Sequence, residues 1–263
     1  MTAAPSPPLQ AVPGFERSGY ALQGGRLVWA GAALAAEHPR HLQRPWSAPP
    51  VRLSRPRLQA RAAALVRDLR QGQGPLPPRG LLAWLGGRAL PFPLSLAGDR
   101  FEALAAALQR GELQAFESAA LRLLGIGPGL TPSGDDLVGG ALFALAHAPV
   151  PHWQPGLPAM RARLHAAALR ASNPISAALL QDLMAGRSWR ALHEWLAALH
   201  HDRPAGLQTA TAALLGIGAS SGADMLAGVL LALAPGAREP GTCLAVAAPA
   251  ASPSPHDARL TSP

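Results

Sequence analysis

The pentapeptide LLGIG occurs twice, at residues 123–127 and 214–218, and each copy leads into a segment that is almost wholly apolar. The first copy continues as PGLTPSGDDLVGGALFALA and the second as ASSGADMLAGVLLALA. When three residues of the first loop are left out, four further positions coincide: Ser133 with Ser221, Gly134 with Gly222, Asp136 with Asp224, and Gly140 with Gly228. The repeat predicts two pseudo-equivalent helix starts that could face each other in a helical core.

The shared S-G-x-D pattern has a structural interpretation as a capping box. Ser133 and Ser221 would be N-caps, and Asp136 and Asp224 would reach back to the cap amides. An acidic side chain also suits the positive end of a helix. The two glycines behind these motifs would let the helices pack closely. A ligand-binding role stays open for both aspartates.

Only the first copy contains P-G-L-T-P and a second carboxylate, Asp135. Gly127 and Gly129 allow positive φ and let a ligand approach the backbone, while Thr131 offers a hydroxyl. Free N–H groups at the helix start, around Gly134, would suit a carboxylate, a phosphate or a developing oxyanion. Asp135 would be ionised there, and it could accept from an amide or ureido NH₂ or bind Mg²⁺. The alternative is a solvated aspartate in the first turn.

Other motifs with chemical potential are weaker. Asn173 precedes Pro174 and lies between Ser172 and Ser176, so it is either an N-cap with Pro at the first helical position or part of the same pocket. No G-K-[ST] follows the first loop, which weakens a nucleotide-binding interpretation. No metal site is predicted, because the histidine pairs at 38–41 and 200–201 lack further ligands at a telling spacing.

The composition favours a core-rich protein and does not favour nucleic acid as a partner. Hydrophobic residues make up 49% of the 263 positions and charged residues only 14%, which suggests much buried surface. The formal charge of +8 comes entirely from arginines, which a GC-rich genome also explains. The densest group comprises Arg52, Arg55, Arg57 and Arg61, and no aromatic stacking platform accompanies it.

The sequence also predicts a soluble cytoplasmic protein without a membrane partner. The first ten residues, MTAAPSPPLQ, lack the basic and apolar regions of a secretory signal. The longest apolar runs are shorter than the ~20 residues of a membrane span. Cys243 is the single cysteine, so no internal disulfide can form.

The predicted fold is α+β. Residues 1–14 and 236–263, rich in Pro, Ala and Ser, are expected to be disordered ends. Residues 15–98 would form a small α+β part, with strands or hairpins in 26–34 and 80–94 and a helix over 54–72. Residues 99–235 would be a predominantly α-helical bundle that carries both LLGIG copies.

The string GIGPGLTPSGDDLVGG resembles the signature of the AllH-like family. SSGADMLAG is similar to a later segment of that family, and PISAALLQDLMAG to an intervening helix. Order and spacing agree over about residues 100–235, whereas the N-terminal third resembles the family only loosely. One position departs from the pattern: Ala219 stands where a His often precedes the second S-S-G.

The resemblance implies a subunit of catabolic oxamate carbamoyltransferase, which acts with other subunits in allantoin and purine breakdown. That system interconverts oxalurate plus phosphate with oxamate plus carbamoyl phosphate, so the substrate is a small anion. Helix N-termini and arginines suit both the anions and the oxyanion of carbamoyl transfer. Two alternatives stay open: a non-catalytic scaffold or regulatory subunit, and an enzyme acting on another small carboxylate or ureido compound.

These considerations predict one site built on the two loops. The residues expected to carry the chemistry are Thr131, Ser133, Asp135 and Asp136. The residues expected to bind substrate are Gly127, Gly129, Gly134, Ser172, Asn173, Ser176, Ser220, Ser221, Gly222 and Asp224.

Overall fold

The computed structural model describes residues 7–16, 18–30, 37–42, 45–49 and 51–236. In these ranges a small antiparallel sheet precedes ten α-helices, which confirms the predicted α+β class. The strands are β1 (Leu9–Ala11), β2 (Tyr20–Gln23) and β3 (Arg26–Trp29). The helices are α1 (Arg55–Arg70), α2 (Leu81–Leu85), α3 (Gly98–Arg110), α4 (Leu113–Leu123), α5 (Ser133–His147), α6 (Leu157–Ala171), α7 (Pro174–Met184), α8 (Arg190–His201), α9 (Pro204–Leu215) and α10 (Ser221–Leu233).

The hairpin between β2 and β3 fixes the register of the sheet. Gly24 and Gly25 both have positive φ, as a two-residue hairpin turn with the twist of its strands requires. This turn pairs Tyr20 with Trp29 at the far end of the hairpin. Residues that lie directly opposite each other in an antiparallel pair project their side chains from the same face. The hairpin therefore presents these two aromatic side chains together.

The first strand lies inside the segment for which the sequence predicts disorder. Leu9–Ala11 pair with β2 in antiparallel register, although their side chains are exposed. Backbone pairing along an edge therefore orders residues that bury little apolar surface. The remainder of the two predicted disordered ends, residues 1–6 and 237–263, lies outside the described residues, and so does Cys243.

The prediction of strands over residues 80–94 was wrong, whereas that of a helix over 54–72 is confirmed by α1. Residues Leu81–Leu85 form the short helix α2, and four of its five side chains are buried. A short apolar run has no periodicity that separates a buried strand from a buried helical turn. The packing partner decides, and α2 packs against α10.

Helices α5 and α10 cross at two glycines in a reciprocal way. A Cβ on Gly140 would overlap the carbonyl oxygen of Met225, and a Cβ on Gly228 would overlap that of Leu137. Leu137 and Met225 are themselves equivalent in the sequence repeat. The contacts therefore follow a local pseudo-twofold relation, and the prediction that the two helix starts face each other is confirmed.

The loops that lead into these helices are also equivalent in detail. The Gly134 amide donates to the Ile126 carbonyl at 2.8 Å, and the Gly222 amide donates to the Ile217 carbonyl at 3.1 Å. At both glycines a Cβ would overlap a leucine carbonyl of the preceding helix. The repeated glycines thus serve close backbone contacts in both copies.

A single hydrophobic cluster extends across the boundary that the sequence predicts near residue 98. It runs from Val12 in the N-terminal part to Ala234 after the last helix, and α1 and α2 both pack on α10. Trp84 and Trp195 are fully buried in this cluster, as expected of core residues. None of the helices in the described ranges combines the length and the apolar character that a membrane crossing requires.

The crossing of α5 and α10 generates a stability prediction. Gly140→Ala places a methyl group against a backbone carbonyl, so the helices must separate. We expect a loss of about 3 kcal/mol or more in the free energy of unfolding, measured by chemical denaturation. The control is Gly206→Ala on exposed α9, where a Cβ meets only ordinary contacts at 3.6 Å. That variant should be neutral or gain up to about 1 kcal/mol. Equal stability of the two variants would contradict the packing described above.

Candidate functional site

The predicted capping boxes do not form, because the two carboxyl groups reach across to the opposite helix start. Neither α5 nor α10 has a side-chain hydrogen bond at its N-cap, and the N-cap positions are Pro132 and Ser220. Instead, the hydroxyl of Ser221 lies beside Asp136, and the hydroxyl of Ser133 lies beside Asp224, which the Ser220 hydroxyl of its own copy also contacts. The S-G-x-D motif therefore links the two copies to each other. The S-G-x-D spacing matches a local capping box, so the sequence alone did not indicate contacts between the two copies.

Burial determines the protonation of this aspartate pair. Asp136 and Asp224 are 5% and 1% exposed, and each has one carboxyl oxygen without a hydrogen-bond partner among the described residues. Burial, and next the nearby Asp224, raise the pKa of the Asp136 carboxyl well above its ordinary value. Burial also raises the pKa of Asp224, against the Leu81 amide, which donates to it at 2.7 Å. The pair is thus biased towards its neutral form.

A direct hydrogen bond joins the two loops above this pair. The hydroxyl oxygens of Thr131 and Ser221 are 2.6 Å apart, and both hydroxyls lie next to Asp136. The second copy has Ala219 in the position of Thr131, directly before the N-cap, so it has no hydroxyl there. The carboxyl group of Asp224, by contrast, accepts a hydrogen bond from the Leu81 amide at the start of α2. The two halves of the pseudo-symmetric pair therefore differ in their partners.

Asp135 holds the first loop against α7. Its carboxylate accepts from the Gly125 amide at 2.7 Å, from the Ser172 hydroxyl at 2.5 Å and from the Ser176 hydroxyl at 2.6 Å. The side chain is buried, with 3% of the residue exposed, so the interpretation as a solvated first-turn aspartate was wrong. A ligand-binding role for Asp135 stays a prediction, and all three contacts are internal to the protein.

Asn173 acts as the N-cap of α7 and also touches the first loop. Its side-chain oxygen accepts from the amides of Ile175 and Ser176, each at 3.0 Å, with Pro174 at the first helical position, which confirms the N-cap interpretation. Its side-chain amide donates to the Leu130 carbonyl at 2.7 Å. Asn173 and Asp135 thus connect the first loop to the start of α7.

A cavity of about 350 Å³ lies between the two loops and opens to solvent. Four predicted site residues line it: Gly129, Thr131, Ser220 and Ser221. Gly129 has a φ of +102° and open space where a Cβ would project, so the backbone is accessible there. Loops from both halves of the repeat therefore shape one concave surface of a size suited to a small ligand.

The remaining predicted residues are not among those that line the cavity. These are Gly127, Ser133, Gly134, Asp135, Asp136, Ser172, Asn173, Ser176, Gly222 and Asp224. Gly127 does need its positive φ of +116°, but it packs against Ser133 and Leu94. The Gly134 amide, which the sequence suggested as an anion donor, is taken by the Ile126 carbonyl. The start of α5 therefore has one fewer free amide with which to bind an anion than the sequence suggested.

Sequence reasoning missed the aromatic part of the cavity. Tyr20 and Trp29 line it from the β2–β3 hairpin, and Trp189 lines it from the start of α8. Trp189 also belongs to the hydrophobic core and is 7% exposed. Nothing in the local sequence connects the hairpin to a loop a hundred residues later. The one available signal was that Tyr20 is the only tyrosine of the chain.

Ala219, the position that departs from the family pattern, also lines the cavity. Its carbonyl accepts from the Arg79 guanidinium at 2.5 Å, and the same guanidinium donates to the Leu215 carbonyl at 2.9 Å. Arg79 therefore braces the second loop, and it also favours the ionised form of Asp224. Replacing an imidazole by a methyl group leaves this bracing intact, because it uses only backbone oxygens.

A second cavity, of about 410 Å³, lies elsewhere and includes neither loop. Trp46, His147 and His193 line it, and the two imidazole rings are 5.2 Å apart. Burial lowers the pKa of His193 to about 3 and also lowers that of His147. Within the described ranges, no group of three or more His, Cys, Asp or Glu side chains could hold a metal ion.

Comparison with known families points to the segment that contains both loops. Residues 123–233 match a family model described as oxamate carbamoyltransferase subunit AllH. This segment of the chain is AllH-like. The match confirms the resemblance inferred from the motif strings, and it begins and ends within the predicted helical part. No curated protein and no solved structure matched the chain.

The AllH-like segment contains the loops, the aspartate pair and the hydroxyls of the cavity. The β2–β3 hairpin lies outside it, so Tyr20 and Trp29 come from a part of the chain that the family match does not cover. The cavity is therefore composite: its hydroxyls come from the AllH-like segment, and two of its aromatic side chains come from the N-terminal sheet.

The contacts of Asp135 lead to a stability prediction. Asp135→Asn replaces one acceptor oxygen by an NH₂ group that faces the two serine hydroxyls. We expect a loss of about 1–3 kcal/mol in the free energy of unfolding, because buried charge-assisted hydrogen bonds are weakened. Asp99→Asn, at an exposed ion pair with Arg122, is the control and should cost less than about 1 kcal/mol. An unchanged melting temperature for Asp135→Asn would argue against the anchoring role.

The raised pKa of Asp136 predicts a pH dependence of stability. In the unfolded chain this carboxyl ionises near its ordinary value of 3.8, whereas in the folded protein it stays protonated to higher pH. The unfolded state therefore binds fewer protons, and stability falls as pH rises from 3.8 towards the raised pKa. The slope is at most about 1.4 kcal/mol per pH unit for this group. Asp136→Asn should remove that slope in urea titrations above pH 4. Parallel curves for the two proteins would contradict the assignment.

Proposed function

We propose that this chain is a cytoplasmic subunit of an oxamate carbamoyltransferase and that its substrate binds in the cavity between the two loops. The observation that carries the proposal is the coincidence of two findings. The AllH match covers residues 123–233, and within that segment residues 128–131, after the first LLGIG, and residues 216–221, at the second, line one small cavity. The repeat, the family match and the concave surface thus converge on the same residues.

The proposed reaction is carbamoyl transfer between oxalurate plus phosphate and oxamate plus carbamoyl phosphate, in allantoin and purine nitrogen catabolism. A phosphate oxygen attacks the carbamoyl carbon of oxalurate, and the bond to the oxamate nitrogen breaks. The proton of hydrogen phosphate moves to that nitrogen, so atoms and charge balance. Direct transfer requires no protein nucleophile.

The hydroxyl pair is suited to the tetrahedral stage of this transfer. The Thr131 and Ser221 hydroxyls are held 2.6 Å apart, and when Thr131 donates to Ser221 the Ser221 hydroxyl can donate to the oxygen that gains negative charge. Asp136 lies beside both hydroxyls and orients them from within the protein. In this proposal Thr131 and Ser221 contact the substrate, while Asp136 positions them and Asp135 holds the loop.

The description of the family as a subunit supports the presence of other chains in the active assembly. We therefore assign to this chain one part of the complete site, with the remaining binding groups supplied by other subunits of the complex.

One observation favours a second candidate, a non-catalytic scaffold. The motif that is unique to the first copy uses Asp135 entirely for contacts with the Gly125 amide and the serines that flank Asn173. Glycines of both copies serve backbone packing. A subunit whose loops only organise helices would have these features. An enzyme acting on another small carboxylate or ureido compound would also have the cavity, and substrate profiling distinguishes it.

The proposal predicts that Ser221→Ala impairs turnover without disrupting assembly. Loss of one donor to a developing oxyanion lowers kcat by about 100-fold. The complex is isolated through a tag on this chain from cells that use allantoin as nitrogen source. Formation of oxalurate from oxamate and carbamoyl phosphate is then measured.

Thr209→Ala, on the exposed face of α9, is the matched control and should leave turnover unchanged. Full activity of Ser221→Ala and Thr131→Val in an intact complex would support the scaffold. Activity on a different ureido compound alone would support the third candidate.

A further inference from the structure

The side chains that line the cavity are of two chemical kinds. Tyr20, Trp29 and Trp189 present aromatic rings, while Thr131, Ser220 and Ser221 present hydroxyls. The rings come from the hairpin and from α8, and the hydroxyls come from the two loops. This combination restricts what can bind, because each kind of side chain favours a particular shape and hydrogen-bonding pattern.

The aromatic side chains favour a flat ligand. Tyr20 and Trp29 are directly opposite each other in the hairpin, so their side chains share one face of the sheet. Trp189 contributes a third ring, and the cavity holds about 350 Å³ in total. Aromatic faces gain contact area from planar conjugated groups and less from tetrahedral ones.

The hydroxyls favour a ligand with donors and acceptors close together. A serine or threonine hydroxyl donates one hydrogen bond and also accepts. An amide or ureido group presents an NH₂ and a carbonyl in one plane, and both can be satisfied by neighbouring hydroxyls. Thr131 and Ser221, 2.6 Å apart, are spaced for two adjacent polar atoms of such a group.

The described residues that line the cavity include no arginine or histidine, so an anion there would have no positively charged partner among them. Asp136 lies next to Thr131 and Ser221, on the protein side of the two hydroxyls, and it supplies no positive charge either. A ligand anion held by these hydroxyls would lose its hydration without gaining a positive partner, whereas a neutral amide would not carry that cost.

We infer that the cavity holds an uncharged, planar amide or ureido group between the aromatic rings and the hydroxyls. This inference rests on the proposed function, because it assigns the carbamoyl or amide end of the substrate to the cavity. The carboxylate of oxamate or oxalurate then points outward, and phosphate binds outside the cavity. The hairpin, although outside the AllH-like segment, acts as a specificity element of the site.

Three ligands of nearly equal shape test this inference. Oxamide, oxamate and oxalate carry no, one and two negative charges on the same planar framework. Calorimetry on the full chain should show that oxamide binds at least about tenfold more tightly than oxalate, with oxamate close to oxamide. Inorganic phosphate should not displace oxamide. Tighter binding of oxalate, displacement by phosphate, or binding of none of the three would overturn the inference.

Two tryptophan variants locate the bound ligand. Trp29→Leu should weaken oxamide binding at least about tenfold, because one ring of the cavity is lost. Trp46→Leu, in the second cavity, is the matched control and should leave oxamide binding unchanged. Ser220→Ala provides a milder change of the cavity that does not alter the hairpin. Equal effects of the two tryptophan variants would place the ligand elsewhere. These binding results are separate from turnover, so oxamide can bind as expected even if the complex proves to catalyse another reaction.

Discussion

The backbone contact between α5 and α10 is the constraint on which the rest of the structure depends. Gly140 and Gly228 allow each helix to approach a carbonyl of the other, in a reciprocal arrangement that any Cβ would disrupt. Because the two helices touch at the backbone near their first turns, their N-terminal loops are brought together as well. In those turns the carboxyl groups of Asp136 and Asp224 then contact hydroxyls of the opposite copy.

The site arises where this pseudo-symmetry is broken. The first loop is three residues longer than the second and contributes Thr131, which reaches Ser221 and Asp136. The first copy also has Asp135 where the second has Ala223, and that carboxylate fastens the longer loop to α7. On the other side Asp224 is covered by α2 through the Leu81 amide. The Asp224 side of the pair is therefore covered by the backbone of α2, whereas the Asp136 side has the hydroxyls of Thr131 and Ser221, which line the cavity.

The N-terminal sheet gives this cavity its chemical character. Without Tyr20 and Trp29 the loops would present hydroxyls and backbone to solvent. With them, the cavity combines flat apolar surface with polar groups, which is the usual composition of a small-molecule site. The family match covers only the loops and helices, so two aromatic residues of the cavity lie outside the part that this chain shares with the AllH family.

The sequence by itself determined the helical core, because helical periodicity is a local pattern. It also determined the paired helix starts and the glycines that pack them, because the two LLGIG segments match residue by residue. It also determined the N-cap at Asn173, since Asn before Pro is a local signal. Only the tertiary structure decided where the polar groups go. Asp136 and Asp224 satisfy the local pattern of a capping box, yet each carboxyl group contacts a serine hydroxyl of the opposite copy, because the crossing brings the two helix starts together. Asp135 accepts hydrogen bonds from serines at the start of α7. Leu81–Leu85 form a helix that packs against α10. Tyr20 lines the same cavity as residues 128–131, about a hundred positions later in the chain. Each of these outcomes depends on a neighbour distant in sequence, which no local pattern encodes.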